Sequence, residues 1–270
     1  MSFSYQSTEG LNIELSDGVL SFTIDRPERK NAIDDDMVAL LIASLESANQ
    51  DEAVRVIVLR GAGSDFCAGF DILSRNARSE AKPRIGSIQR RLPSETHRLI
   101  PLICSIQVPV VCAVQGWAAG IGLHLVLAAD FAIVTEDARL WEPFMKRGFS
   151  PDSGGTWLLP RRVGEVRARE ILVLGRSLTG IEAAEWQMVH RAVPAAELDG
   201  AVNGLVEELV KGPTVAIGLT KWLMHAGTSQ DLVSHLANEG YAMELSSRSE
   251  DFREGIAAFA EKRSPNFKGR

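Results

Sequence analysis

An α/β core followed by a run of helices is the fold class this sequence predicts, and three observations predict it. Short apolar stretches of strand length alternate with helically spaced apolar residues in the first part of the chain. Two of those stretches run straight into glycine-rich turns. After residue 195 every apolar pattern has helical spacing. The sequence therefore divides into a mixed core, 1–195, and a helical C-terminal region, 196–270.

The elements follow in order. Val19 to Asp25 alternates, with Leu20, Phe22 and Ile24 on one face, and Arg26-Pro27 ends it. Asp34-Asp35-Asp36 opens a helix, because carboxylates suit the positive end of a helix. Met37, Leu40, Leu41 and Leu45 keep helical spacing and predict its core face. Val54 to Leu59, Val110 to Val114 and Phe131 to Val134 are continuous apolar strands of the kind buried on both faces. Val166 to Leu174 is helical, with Gly175 as its C-terminal stop. Leu198 to Val210, Val215 to His225, Leu232 to Leu245 and Phe252 to Lys262 are the C-terminal helices.

Composition narrows the function. The chain has 270 residues, 45% hydrophobic and 24% charged, ordinary for a globular protein. A net charge of −6 argues against nucleic acid, since Arg90-Arg91, Lys146-Arg147 and Arg161-Arg162 are isolated pairs. Cys67, Cys104 and Cys112 form neither a CxxC pair nor a zinc spacing, which predicts no metal and reduced thiols in a cytoplasmic protein. Met1 to Gly10 has no apolar segment of the signal-peptide kind, and Trp117 to Val134 is broken by glycines, His124 and Asp130, so no membrane span is predicted.

Two motifs mislead. Gly61-Ala62-Gly63 follows a strand, but Phe66 stands where a dinucleotide loop needs its third glycine, so it reads as a turn. Asp152-Ser153-Gly154-Gly155 looks like a serine-protease segment, yet nothing else supports that all-β fold.

The chemistry concentrates in three places. Gly116-Trp117-Ala118-Ala119-Gly120-Ile121-Gly122 joins a strand to a helix whose first N–H groups have no intrahelical partner. Glycine there lets a ligand approach the backbone, and the helix end favours a developing oxyanion. Cys67-Ala68-Gly69-Phe70-Asp71 follows another buried strand and offers a second such turn. Pro151-Asp152-Ser153-Gly154-Gly155 supplies a carboxylate, which is either a helix N-cap or a reacting group.

These motifs resemble the crotonase (enoyl-CoA hydratase/isomerase) superfamily. Arg26-Pro27-Glu28-Arg29-Lys30-Asn31-Ala32 is similar to its R-P-x-x-x-N-A opening. Ala113-Val114-Gln115-Gly116-Trp117-Ala118-Ala119-Gly120 is similar to its A-V-N-G-x-A-x-G segment, with Gln115 for the usual Asn. Ala258 to Phe267 resembles its closing F-x-E-K-R-x-P-x-F. The resemblance implies a spiral of ββα turns with a helical trimerisation region, and a homotrimer or dimer of trimers. It implies an oxyanion hole from the N–H groups of Phe70 and Ile121. It places an acyl-CoA thioester near Ala68, Asp71, Ile72 and Leu73, with Arg29, Lys30 and Lys262 toward the phosphates. No separate cofactor is implied, because coenzyme A is part of the substrate.

The departures are as informative. His124 and Phe144 stand where the family's hydratases place their two glutamates. Hydration needs a base for water and an acid for the α-carbon, and phenylalanine supplies neither. Asp152 remains, and Pro151 to Arg161 resembles the ring-1,2-epoxyphenylacetyl-CoA isomerase group of the family. One carboxylate suffices for a double-bond shift through a thioester enolate, and an apolar wall including Phe144 would sharpen it as a proton shuttle. His124 is a second acid/base, if it shares a helix face with Ile121, or a core histidine with a satisfied ring. His97 reads as surface or structural. Isomerisation by Asp152 is the expectation; hydration or hydrolysis by His124 with Asp152, and a non-catalytic acyl-CoA-binding homologue, are the alternatives.

Overall fold

The computed structural model describes residues 3–72 and 84–270. Its first turn comprises β1 (Leu11–Ser16), β2 (Val19–Ile24) and α1 (Asp35–Ala48). The second comprises β3 (Val56–Gly61), α2 (Ser87–Arg91) and α3 (Thr96–Ser105). The third is β4 (Val110–Val114), β5 (Trp117–Ala119) and α4 (Ile121–Ala128), and the fourth is β6 (Phe131–Thr135), β7 (Arg139–Trp141) and α5 (Gly155–Leu172). Next come β8 (Ser177–Thr179), α6 (Gly180–Glu185) and β9 (Arg191–Val193), and then α7 (Leu198–Val210), α8 (Thr214–Ala226), α9 (Leu232–Ser246) and α10 (Glu250–Glu261).

The first turn puts both its strands in one sheet, and the third and fourth each send one strand to that sheet and one to a second. The long sheet has the order β1-β2-β3-β4-β6-β9, and the short one β5-β7-β8. Only β1 is antiparallel in the long sheet, paired to β2 through a tight turn at Asp17-Gly18 with φ of 50° and 82°. β2, β3, β4, β6 and β9 pair in parallel. In the second turn a single residue, Cys67, takes the place of a short-sheet strand and bridges Ala118. This is the spiral of ββα turns that the family resemblance implied.

The local chemistry accounts for the elements. Asp34 caps α1 by accepting from the Met37 N–H at 3.1 Å, with Asp35 and Asp36 in the first turn, as the aspartate run predicts. Met37, Leu41 and Leu45 bury against Phe22, Leu59 and Leu99 in the main core. α5 is longer than the sequence pattern suggests. It begins at Gly155 and breaks at Gly164, whose φ of 76° interrupts the helical path. The apolar spacing is visible only beyond that break.

The other sheet face carries Val56, Val58, Val111, Ala113 and Ile133, and α7 covers it with Leu198, Val202 and Val206. The last strand ends at Val193 and α7 begins at Leu198, while the packed core continues through α7. α9 and α10 leave Leu232, Val233, Tyr241, Met243, Ile256 and Phe259 exposed. Among the described residues no helix is long and apolar enough to cross a membrane.

Candidate active site

The two glycine-rich turns lie backbone against backbone. The Cys67 N–H donates to Trp117 O at 2.9 Å, and the Ala119 N–H donates to Cys67 O at 2.9 Å. Gly122 permits this approach, since a β-carbon there would fall 2.2 Å from Cys67 O. The Ile33 N–H donates to Gly69 O at 3.0 Å, and the Asp71 N–H to Ile33 O at 2.8 Å. Those bonds use the edge of the strand that faces Ile33, and by strand alternation the Phe70 N–H lies on the opposite edge. Gly120, at φ 54° and ψ −123°, turns the chain into α4, so Ile121 supplies the helix's first N–H. The pairing brings together the two turns that the sequence singled out as oxyanion donors.

Around them, the R-P-x-x-x-N-A segment is a clamp. Asn31 accepts from the Arg26 N–H at 2.8 Å and donates to Ala62 O and Asp65 O at 2.8 and 2.5 Å. Gln115 donates to Gly61 O and Gly63 O at 2.7 and 3.2 Å, which holds the Gly61-Ala62-Gly63 segment as a turn. The Ala68 N–H donates to Lys30 O at 2.9 Å, and the Lys30 ammonium sits 5.9 Å from the Trp117 ring centroid. Asp71, buried, pairs with Arg29 at 2.6 Å and Arg26 at 3.2 Å. Arg29 is half exposed beside it, Ile72 is half-buried, and Lys262 is exposed at the end of α10. Leu73 lies outside the described residues.

Asp152 is exposed in the turn before α5. It is not the helix cap: Gly154 takes that position at φ 100° with no side-chain bond. Its backbone carbonyl accepts from His97 Nε2 at 2.6 Å, which gives the exposed His97 a structural contact. Its carboxylate Oδ1 accepts from Ser153 Oγ at 3.2 Å.

Behind Ser153 the sequence reading meets a residue it did not find. His124 is completely buried, with Nδ1 2.8 Å from Ser153 Oγ and Nε2 2.6 Å from Glu142 Oε1. Both ring nitrogens are therefore partnered, and the imidazole is sealed from solvent. The Phe144 ring stacks on it at 6.0 Å between centroids and 3° between planes. The apolar wall expected around Asp152 encloses the His124–Glu142 pair instead, because Phe144 packs on the imidazole while Asp152 sits in an exposed turn. Glu142 is 1% exposed and, among the described residues, its Oε2 has no hydrogen-bond partner. Burial pushes this carboxyl above the usual carboxylate range, the Asp152 charge pushes the same way, and His124 opposes both.

A cavity of about 460 Å³ adjoins the Asp152 turn, lined by His97, Ile100, Pro101, Ser153, Gly154 and Trp157 among others. It shares Cys104, Trp157, Leu158 and His225 with a larger groove of about 760 Å³ beneath α8. Ser153 and Gly154, the two residues after Asp152, line this cavity.

The chain belongs to the enoyl-CoA hydratase/isomerase family, whose sequence model matches residues 14–270. It is 37% identical over 254 residues to 1,2-epoxyphenylacetyl-CoA isomerase of Escherichia coli K12, covering 94% of this chain and 96% of that one. It is 35% identical to the human mitochondrial enoyl-CoA hydratase domain-containing protein 2, covering 94% of this chain and 86% of that one. Among solved structures, an enoyl-CoA hydratase from Bacillus anthracis matches at a TM-score of 0.89 and 30% identity, over 97% of this chain and 100% of that chain. The chain is accordingly an enzyme of the crotonase fold.

Proposed function

We propose that the enzyme isomerises an acyl-CoA thioester through an enolate, with Asp152 moving the proton. The observation that carries this reading is the exposure of the three acid–base positions. Asp152 is exposed, His124 is completely buried, and Phe144 has no ionisable group. Hydration needs two groups in reach of the substrate, whereas a double-bond or ring shift needs one.

In the proposed cycle Asp152 removes a proton from the α or γ carbon. The electron pair moves into the thioester carbonyl, and the enolate oxygen takes hydrogen bonds from the Phe70 and Ile121 N–H groups. Asp152 then returns the proton to the other carbon, so substrate and product differ only in bond position. The acyl group occupies the cavity beside His97 and Trp157. The CoA moiety runs along Ala68, Asp71 and Ile72, with Phe144 behind the oxyanion turn and Arg29, Lys30 and Lys262 toward the phosphates. No cofactor beyond the substrate's own CoA enters the cycle.

The name of the Escherichia coli relative supports isomerisation; the human and Bacillus anthracis relatives carry hydratase names. The exposed apolar residues of α9 and α10 support a homotrimer or dimer of trimers, in which a second copy of the chain covers them. The free thiols Cys67, Cys104 and Cys112 support a reducing, cytoplasmic setting.

The test is turnover of a panel of 2-enoyl- and 3-enoyl-CoA thioesters by wild type and Asp152→Asn, with thioester binding measured alongside. Isomer formed by the wild type alone, at equal binding, is the expected result. Isomer formed by the variant at the wild-type rate would overturn the assignment.

A further inference from the structure

We propose that Glu142, His124 and Ser153 form a buried proton relay ending at Asp152, and that Glu142 rests as a neutral carboxylic acid. The role rests on the reading of Asp152 as the proton shuttle; the resting state of Glu142 is argued from geometry alone.

The hydrogens can be placed one at a time. Ser153 has one hydroxyl hydrogen, and Asp152 Oδ1, a carboxylate oxygen 3.2 Å away, accepts it. Ser153 Oγ must then accept from His124 Nδ1 at 2.8 Å, so Nδ1 carries a hydrogen. A neutral imidazole with hydrogen on Nδ1 has a bare Nε2. That atom faces Glu142 Oε1 at 2.6 Å, a distance at which one of the two must hold a proton.

The surroundings assign that proton to Glu142. An ion pair would leave a full carboxylate whose buried Oε2 has no partner among the described residues, whereas a neutral acid leaves only a carbonyl oxygen there. Phe144 stacks on the imidazole, and Gly155 at the start of α5 packs against its Nε2 and Glu142 Oε1. The titratable groups that act on Glu142 are His124 on α4 and Asp152 in the turn before α5. His97 on α3 reaches that turn too, through the Asp152 backbone carbonyl.

So oriented, the chain can pass a proton one way from rest. The Glu142 proton moves to His124 Nε2, the Nδ1 proton to Ser153 Oγ, and the Ser153 hydroxyl proton to Asp152 Oδ1. The products are a neutral Asp152, a Glu142 carboxylate bonded to the Nε2–H, and unchanged totals of protons and charge. Asp152 is exposed and can lose a substrate-derived proton to water while the enolate waits. The relay restores that proton, so the enolate is protonated instead of stalled. The same steps in reverse, from an Asp152 protonated by water, return the proton to Glu142. Glu142 and His124 touch no substrate in this scheme; they are positioning residues acting through Ser153.

Glu142→Gln separates relay from scaffold. A glutamine N–H can donate to His124 Nε2 and keep the ring orientation, but it has no proton to lend. Difference infrared spectra of wild type against this variant read the protonated-carboxyl carbonyl band directly. The pH profile of kcat reads the relay. Expected are a neutral-carboxyl band at neutral pH in the wild type, and in Glu142→Gln a kcat lower by about tenfold or more, an alkaline limb moved to lower pH, and little change in KM. Absence of that band would overturn the neutral Glu142 whatever the enzyme turns over. A variant that matches the wild type in kcat at every pH would overturn the relay. If the variant fails to fold, the temperature-independent band of the wild type, assigned by labelling glutamate with carbon-13, still decides the resting state. If Asp152→Asn proves fully active, the shuttle reading fails, and the band then tests the neutral Glu142 by itself.

Discussion

Gly155 lies against His124 so closely that a β-carbon on Gly155 would fall 2.4 Å from the imidazole Nε2, and 2.8 Å from Glu142 Oε1. The first residue of α5 is thus the lid on the buried Glu142–His124 contact. Gly155 is helical, so its need for glycine is spatial and not conformational. Gly155→Ala should force the ring or the helix start to move, at a cost of about 2 kcal/mol. Urea denaturation of the variant checks this, and unchanged stability would show that the lid is loose.

The oxyanion assignment can be tested by removing one hydrogen. Ile121 is the first residue of α4, where proline is tolerated because that N–H has no helical partner. Ile121→Pro should retain the fold and lower kcat by about 10²–10³. Ile121→Val controls for the side chain and should stay near the wild type. Circular dichroism with steady-state kinetics gives both readings.

Asp71 holds two arginines from the R-P-x-x-x-N-A segment, Arg26 at 3.2 Å and Arg29 at 2.6 Å, while itself only 8% exposed. Asp71→Asn leaves two guanidinium groups facing a neutral amide. The expected loss is about 3 kcal/mol, read by denaturation, because one partner of a mostly buried pair has been removed.

The C-terminal tail should loosen in acid. Arg263 and the Asn266 N–H hold the Glu254 carboxyl down from 4.5 to about 2. A depressed folded value means stabilisation that is fully present above 4.5 and lost as the pH falls toward about 2. Amide-exchange protection at Asn266 should fall across that window. Glu254→Gln should show the low protection already at neutral pH.

The sequence showed the two glycine-rich turns well, because glycines directly after apolar strands leave a local signature. It showed the aspartate cap of α1 as well. It did not show Glu142. That residue reaches His124 across the gap between the end of β7 and the middle of α4, a contact no local pattern encodes. One signal was present. Glu142 follows Leu140 at strand spacing, so the alternation that buries Leu140 also turns Glu142 inward. The three-residue strands of the short sheet were also invisible, being too short to set a period. The role of α7 as cover for the long sheet was hidden for a different reason: helical spacing tells that a face is buried, but not against what.

The central claim is that this site shifts a bond without adding water. Mass spectrometry of products from 2-enoyl- and 3-enoyl-CoA thioesters, incubated with the enzyme in oxygen-18 water, tests it most directly. The account predicts an isomeric product with no gain of oxygen. A hydroxyacyl-CoA carrying the label would contradict it.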